Sequence, residues 1–551
     1  MTDGYDPVPY PSLCHPQTHP DWLRVLGLLF GVEPTPAPVE RARILELGCA
    51  CGGNLLPMAE HLPASRFVGI DRSRTQIDRA QADAQALGLD NLELHVADIL
   101  ELDPATLGRF DYIICHGVFS WVSRPVQDRI LALLPALLEP RGLAVVSYNV
   151  YPGCHAREMV RQLMKYRTRG VASPTLQLAA ARTVLDFVTN AVAARREHAG
   201  VTEPEAYSLA LAREREVVRR VPDAYLFHEH LEPDNAPLYF HEFIGRVGAV
   251  NDGAGLGYVC DASLDTMVAR DLAPATLTEL AKLAEATDDP LAVEQYLDFV
   301  RNRELRVSVL SRGDSRRARQ IQPAALPGLR FAMHGQVHCD DPTQLLASEA
   351  PVSFQILSSP DAKLSIGASD PLTKAALVEL CAVWPTSVGF EQLERSARGR
   401  LATAGHDSTT PTREQLVASL IECMVRNAVV ARCWEPPIGA ASSARPRISA
   451  FNRRMAGRDG WLAALEHRPF VLEPTLAHLV PLLDGTRDHD ALLDALAGLV
   501  ETGDLTPRQD GEPIRDPAAL RAALAEFLRA SLRSLAQLPA LMGDPVSASE
   551  S

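Results

Sequence analysis

Between Arg43 and Tyr151 the chain alternates short apolar runs with longer stretches whose apolar positions recur every three or four residues. "RILEL", "RFVGID", "LELHVADI", "FDYIICHGVF" and "GLAVVSYNVY" predict five strands. "NLLPMAEHL", "RTQIDRAQADAQALGL" and "PVQDRILALLPALLE" predict helices between them. This order implies parallel βαβ units with right-handed crossovers. From His155 to about Val221 the pattern is almost wholly helical, rich in Ala and Arg. Alternation then resumes with helix "LYFHEFIGRVGAV", strand "GLGYVCDA", helix "PLAVEQYLDFVRNR" and strand "LRVSVLSR". The last two strands are expected to complete the first sheet, giving a Rossmann-like α/β fold of seven strands. Residues 155–235 then form a helical insertion over its mouth. The rival is a separate α-rich domain starting at 155.

Residues 1–42 hold many prolines and aromatics and one helix at "PDWLRVLGLLFG". Tyr5, Tyr10 and His19 sit in a segment too polar for a core strand, which suits a lid. With the sheet and insertion spanning 43–312 and "SRGDSRRAR" as a polar linker, residues 328–366 read as a short β-rich connector. Three helices closed by a short strand give 367–436 a winged-helix-like order. A second linker, "PPIGAASSARPRIS", leads to a helical region over 450–540 and a disordered tail over 541–551.

Composition narrows the function. At 551 residues the chain exceeds one ordinary core. Its formal net charge of −15 argues against a nucleic-acid backbone as main partner, because phosphate binding needs clustered Lys and Arg. The N-terminus shows neither a basic nor an apolar signal region, and no apolar run reaches the roughly 20 residues of a membrane span. Ten scattered cysteines suit reduced thiols, hence a cytoplasmic setting.

The chemistry centres on "RILELGCACGGNLL". A glycine turn between a buried strand and a helix lets a ligand approach backbone and helix N-terminus. As a dinucleotide fingerprint, Gly48, Ala50 and Gly53 are imperfect, and no Gly-Lys-Ser/Thr follows for a phosphate loop. Three acids favour another ligand. Glu46 stands two residues before Gly48, Asp71 ends the second strand where a carboxylate receives ribose hydroxyls, and Asp98 ends the third. A pyrophosphate does not want Glu46 beside it; an ammonium and a sulfonium do.

The set E-x-G-x-x-x-G, "GID", "ADI" and "FDYI" resembles the class I S-adenosylmethionine-dependent methyltransferases. The resemblance implies that Glu46, Gly48 and Gly52 hold the methionine part of S-adenosyl-L-methionine, Asp71 the ribose, and Asp98 with Ile99 the adenine edge. Cys49, Asn54, Arg72, Ala97, Cys115, His116 and Gly117 complete the implied cofactor set. "YDPVPYPSLCHPQTHPDWL", "CHGVFSWV", "VVSYNVYPG", "YLFHEHLEPDNAPLYFHEF" and "QYLDFVRNRELR" are similar to methyltransferases carrying a methyltransferase regulatory domain. That group includes bacterial outer-membrane-protein lysine methyltransferases, and residues 371–435 resemble their winged-helix domain. The seventh strand departs from the common "RQTLLCH", reading "RVSVLSR".

In such a fold "CHGVF" and "SYNVYPG" lie at the reaction centre. His116 is a candidate base or adenine-pocket wall. Tyr148, Asn149 and Tyr151 are candidates to hold an amine, or the two tyrosines simply pack. "FHEHLE" (Phe227 to Glu232) reads either as a surface helix entry or as a substrate-channel wall. No metal is expected: Cys49 and Cys51 lack a second pair, and "HGQVHCDD" (His334, His338, Cys339) reads as a surface cluster. The winged-helix-like segment lacks a basic recognition face, so a protein-docking role is favoured over DNA. The expected activity is N-methylation of protein lysine, with a homodimer left open. The rivals are a small-molecule methyltransferase and a non-catalytic cofactor-binding scaffold.

Overall fold

The computed structural model describes residues 12–200, 205–249, 255–268, 272–286, 289, 291–313, 320–337, 345–346, 351–357, 365–406, 412–509 and 512–543. Tyr5, Tyr10, His338, Cys339 and residues 314–319 of the polar linker lie outside them.

Seven strands form one sheet: β1 (Arg43–Leu47), β2 (Arg66–Asp71), β3 (Leu92–Val96), β4 (Phe110–Cys115), β5 (Leu138–Asn149), β6 (Leu256–Asp261) and β7 (Leu305–Arg312). Their spatial order is β3-β2-β1-β4-β5-β7-β6. The first five run parallel, and β7 lies antiparallel between β5 and β6, setting Asn149 opposite Leu305. The central strands are buried along nearly their whole length, which is why they read as unbroken apolar runs. β6 and β7 complete the sheet, so the helical stretch is an insertion in the chain path. That stretch also has its own small core, built on Val160, Met164, Leu185, Leu211 and Val218.

Helix α1 (Pro20–Leu29) follows the N-terminal segment; α2 (Leu55–His61) and α3 (Arg74–Leu87) follow β1 and β2. Helices Pro371–Val383, Phe390–Thr403 and Arg413–Val425 pack with a three-stranded sheet of Arg330–Ala332 between Val388–Gly389 and Val430–Arg432. Helix Ala450–Asp459 leads into a hairpin of Trp461–Ala463 and Pro469–Val471, so the region after 450 is not purely helical. Nor is the tail free from 541 onwards. Leu541 and Met542 pair with Ile448 and Arg447, and burial of Leu541 supplies the apolar anchor that the polar tail composition masks.

This C-terminal part is clamped to the sheet domain beside the glycine loop. The Glu60 carboxylate receives the amides of Ala450 and Phe451 at 2.7 and 3.1 Å, capping that helix from the neighbouring domain. Buried Asp83 receives Arg454 at 2.6 Å and Arg458 at 2.9 and 3.0 Å. Asp21 receives the amides of Cys433 and Trp434. Among the described residues no helix is long and apolar enough to cross a membrane.

Candidate active site

β1 ends in Glu46 and Leu47, and the chain turns at once through backbone shapes that favour glycine: Gly48 at φ +78° and Gly52 at φ +75°. The Gly48 and Cys49 amides donate to the Ile70 carbonyl at 2.7 and 3.1 Å, tying the turn to β2. A Cβ on Gly48 would stand 2.3 Å from Val118, and one on Gly53 2.1 Å from the Ser12 carbonyl oxygen. Both glycines are therefore demanded by close approach. The Gly53 amide also donates to Ser12 Oγ at 2.9 Å, so the N-terminal segment lies directly over the loop.

Two acids face this turn with different partners. Asp71 is satisfied: Oδ2 receives the Ala50 amide and Oδ1 the Ser73 amide, both at 2.9 Å. Glu46 is not. Only 4% exposed, it receives Asn54 Nδ2 on Oε1 at 2.8 Å, while Oε2 is buried with no partner. Burial pushes its carboxyl up to about 8, with the Asp71 charge adding to the rise and the Asn54 hydrogen bond opposing it. A buried carboxylate oxygen left unpaired is costly, and an ammonium arriving there would remove the cost. The donor set thus fits the cationic, phosphate-free end of S-adenosylmethionine and not a pyrophosphate.

Asp98 receives the Leu100 amide at 2.9 Å, and the Ala97 amide donates to the Asp71 carbonyl, setting Ala97, Asp98 and Ile99 half-buried beside β2. Arg72 is exposed next to Asp71. Cys115 is buried at the end of β4, its thiol pushed up to about 12 by burial. Half-buried His116 stacks on His15, ring centroids 4.2 Å apart, and its pKa is pushed down to about 3 by burial and by His15. Exposed Gly117, at φ +70°, donates its amide to Ser147 Oγ at 2.8 Å. Burial raises the thiols of both Cys49 and Cys51.

At the end of β5 the pleat separates neighbours that the sequence reads together. Tyr148 points into the core, 1% exposed, stacked on Phe243 at 4.0 Å with its hydroxyl 3.0 Å from Ser308 Oγ. It packs and does not line the site. Asn149 points the other way: its amide donates to Ser120 Oγ at 2.8 Å and its Nδ2 to Asn235 Oδ1 at 3.1 Å. Half-buried Tyr151 stacks on exposed His155 at 4.2 Å and lies 5.4 Å from Tyr239. Phe227–Leu231 forms a π-helix turn with His228 and His230 buried, and Arg161 donates to the carbonyls of Glu229 and Glu232. Of the two readings of "FHEHLE", the surface entry is lost.

Ser12, His15, Thr18 and His467 were not singled out by the sequence, yet they surround the loop. The first three lie in the quoted N-terminal motif; His467 carries no local signal.

A seven-stranded sheet with one antiparallel strand, and a glycine turn faced by Glu46 and Asp71 at its carboxyl edge, fit a class I S-adenosylmethionine-dependent methyltransferase. Family models give its finer place: one described as a methyltransferase domain matches residues 39–188, a predicted methyltransferase regulatory domain 222–312, and the PKMT C-terminal winged helix domain 444–538. The last lies downstream of 367–436, where the sequence pattern suggests that fold. An uncharacterized protein of Rickettsia prowazekii (strain Madrid E) is 30% identical over 523 residues, covering 94% of this chain and 90% of the relative. The structure of PKMT2 from Rickettsia typhi in complex with AdoHcy superposes with a TM-score of 0.82 at 27% identity, covering 97% of this chain and all of that one. The chain belongs to this family of methyltransferases with regulatory and PKMT winged-helix domains.

Proposed function

We propose that the enzyme moves the methyl group of S-adenosylmethionine to lysine side-chain amines of a protein acceptor. The likeness to PKMT2 along nearly the whole chain carries this reading. In it Glu46 holds the cofactor ammonium through Oε2, Asp71 the ribose hydroxyls, and Asp98 with Ile99 the adenine edge. The cofactor supplies an electrophilic methyl on a sulfonium.

The chain's own residues position the acceptor. The linked amides of Asn149 and Asn235 offer an oxygen to an amine N–H, and Tyr151, His155 and Tyr239 form an aromatic wall that is open to solvent on the His155 side. Such a wall favours a side chain presented by a macromolecule over a metabolite enclosed in a cavity. As the amine lone pair forms the N–C bond, the S–C bond breaks and S-adenosylhomocysteine leaves. A lysine amine of pKa ~10.4 must first shed its proton. His116, held near 3, is too weak a base to take it. It serves as a wall, and the proton leaves to solvent through the open mouth. None of the described cysteines is in a disulfide, which suits a reducing cytoplasm.

The test is incubation with S-adenosylmethionine labelled in the methyl group and a lysate of the source cell. Label recovered as methyl-lysine after acid hydrolysis is the expected result; label confined to small molecules overturns the reading.

A further inference from the structure

Asn54, whose Nδ2 bonds Glu46, is itself fixed from the far end of the chain. Asn54 Oδ1 accepts the His15 backbone amide at 3.0 Å, the Thr18 hydroxyl at 3.2 Å and lies 2.7 Å from His467 Nε2. A backbone amide can only donate, so this atom of Asn54 is the oxygen, and His467 Nε2 carries the hydrogen. Asn54 Nδ2 is thereby turned toward Glu46. His467 is 413 positions from Asn54, 3% exposed, and held at φ +63°, an unusual conformation for a residue with a Cβ.

The turn that carries it is held independently. Asn452 both donates to and accepts from the backbone of Ala463 at 2.7 Å, and Glu466 pairs with Arg432. His19 lies between the layers, its ring 5.2 Å from His467 and 6.0 Å from Trp434. Glycine loop, N-terminal segment and C-terminal hairpin thus form three layers over one buried carboxylate.

We propose that His467 is a positioning residue for cofactor binding: by donating to Asn54 Oδ1 it orients Asn54 Nδ2 onto Glu46 Oε1 and leaves Oε2 for the cofactor ammonium. The inference rests on the reading of Glu46 as the ammonium site. It makes the C-terminal region a wall of the cofactor site, so cofactor occupancy and docking of that region favour each other reciprocally.

The test uses the full chain and titration calorimetry with S-adenosylhomocysteine. E46Q is measured first; unchanged affinity overturns the reading of Glu46 and this inference with it. H467N is the main variant, because Asn tolerates positive φ but is too short to reach Asn54. It is expected to fold and to bind about tenfold more weakly, the loss of one buried hydrogen bond that orders a charged group. H467Q, whose amide reaches further, should recover part of that affinity. The decisive measurement is H467N in the E46Q background: no additional loss supports positioning through Glu46, whereas a fully additive loss shows a general structural role and overturns the proposal. Wild-type affinity in H467N alone also overturns it.

Discussion

The Asp71 carboxylate, at the end of β2, holds the amide of Ala50 at 2.9 Å across the glycine turn, with Ala50 at φ +49°. One side chain therefore shapes the loop and, in the proposed reading, also meets the ribose hydroxyls. Asp71→Ala should weaken S-adenosylhomocysteine binding by about a hundredfold, as expected for two lost hydrogen bonds to a charged group. Asp71→Asn, which keeps one acceptor oxygen, should lose about tenfold. Calorimetry with the homocysteine form isolates this contact because that ligand lacks the sulfonium charge.

Cofactor affinity should rise between pH 6 and pH 8. In the empty site Glu46 is held near 8 by burial, so near neutrality it carries a proton that a bound ammonium would expel. Below that value affinity should fall by up to about tenfold per pH unit. Binding at pH 7 should release a proton, seen as different heats in buffers of unequal ionisation enthalpy. E46Q should abolish the proton release.

The same carboxyl should cost stability in the cofactor-free enzyme. Its folded pKa lies above the ordinary 4.5, so between these values the folded chain binds more protons than the unfolded one. Stability is then fully retained below 4.5 and falls as pH rises through 8. E46Q should melt at higher temperature than wild type at pH 8, and the gap should close at pH 5, as differential scanning calorimetry would show.

At the end of β5, adjacent residues should behave oppositely. Tyr148→Phe removes a buried hydroxyl bonded to Ser308 and should cost about 1 kcal/mol of stability while leaving turnover unchanged. Asn149→Ala should leave cofactor affinity intact and lower kcat at least tenfold, through loss of its link to Asn235. Equal effects of the two changes on kcat would contradict this assignment.

These contrasts show what the sequence makes legible. The central strands stand out because burial on both faces leaves them apolar runs, as in "FDYIIC". Glu46, Asp71 and Asp98 are readable because each sits at the carboxyl end of such a run. Tyr148 looked like a site residue by position alone; the two-residue period of the strand sends it to the other face. His467 is illegible in principle from one sequence. It is one histidine in a polar turn, and its role comes from a contact across 413 positions.

That distance also sets an order in time. A chain made at roughly 5–20 residues per second exposes Asn54 some 20–80 seconds before His467 has been added. During that interval Glu46 has been made, yet the histidine that turns Asn54 toward it does not exist. The pocket for the methyl donor is thus among the last parts of the protein to be finished, although its central acid is among the first residues made.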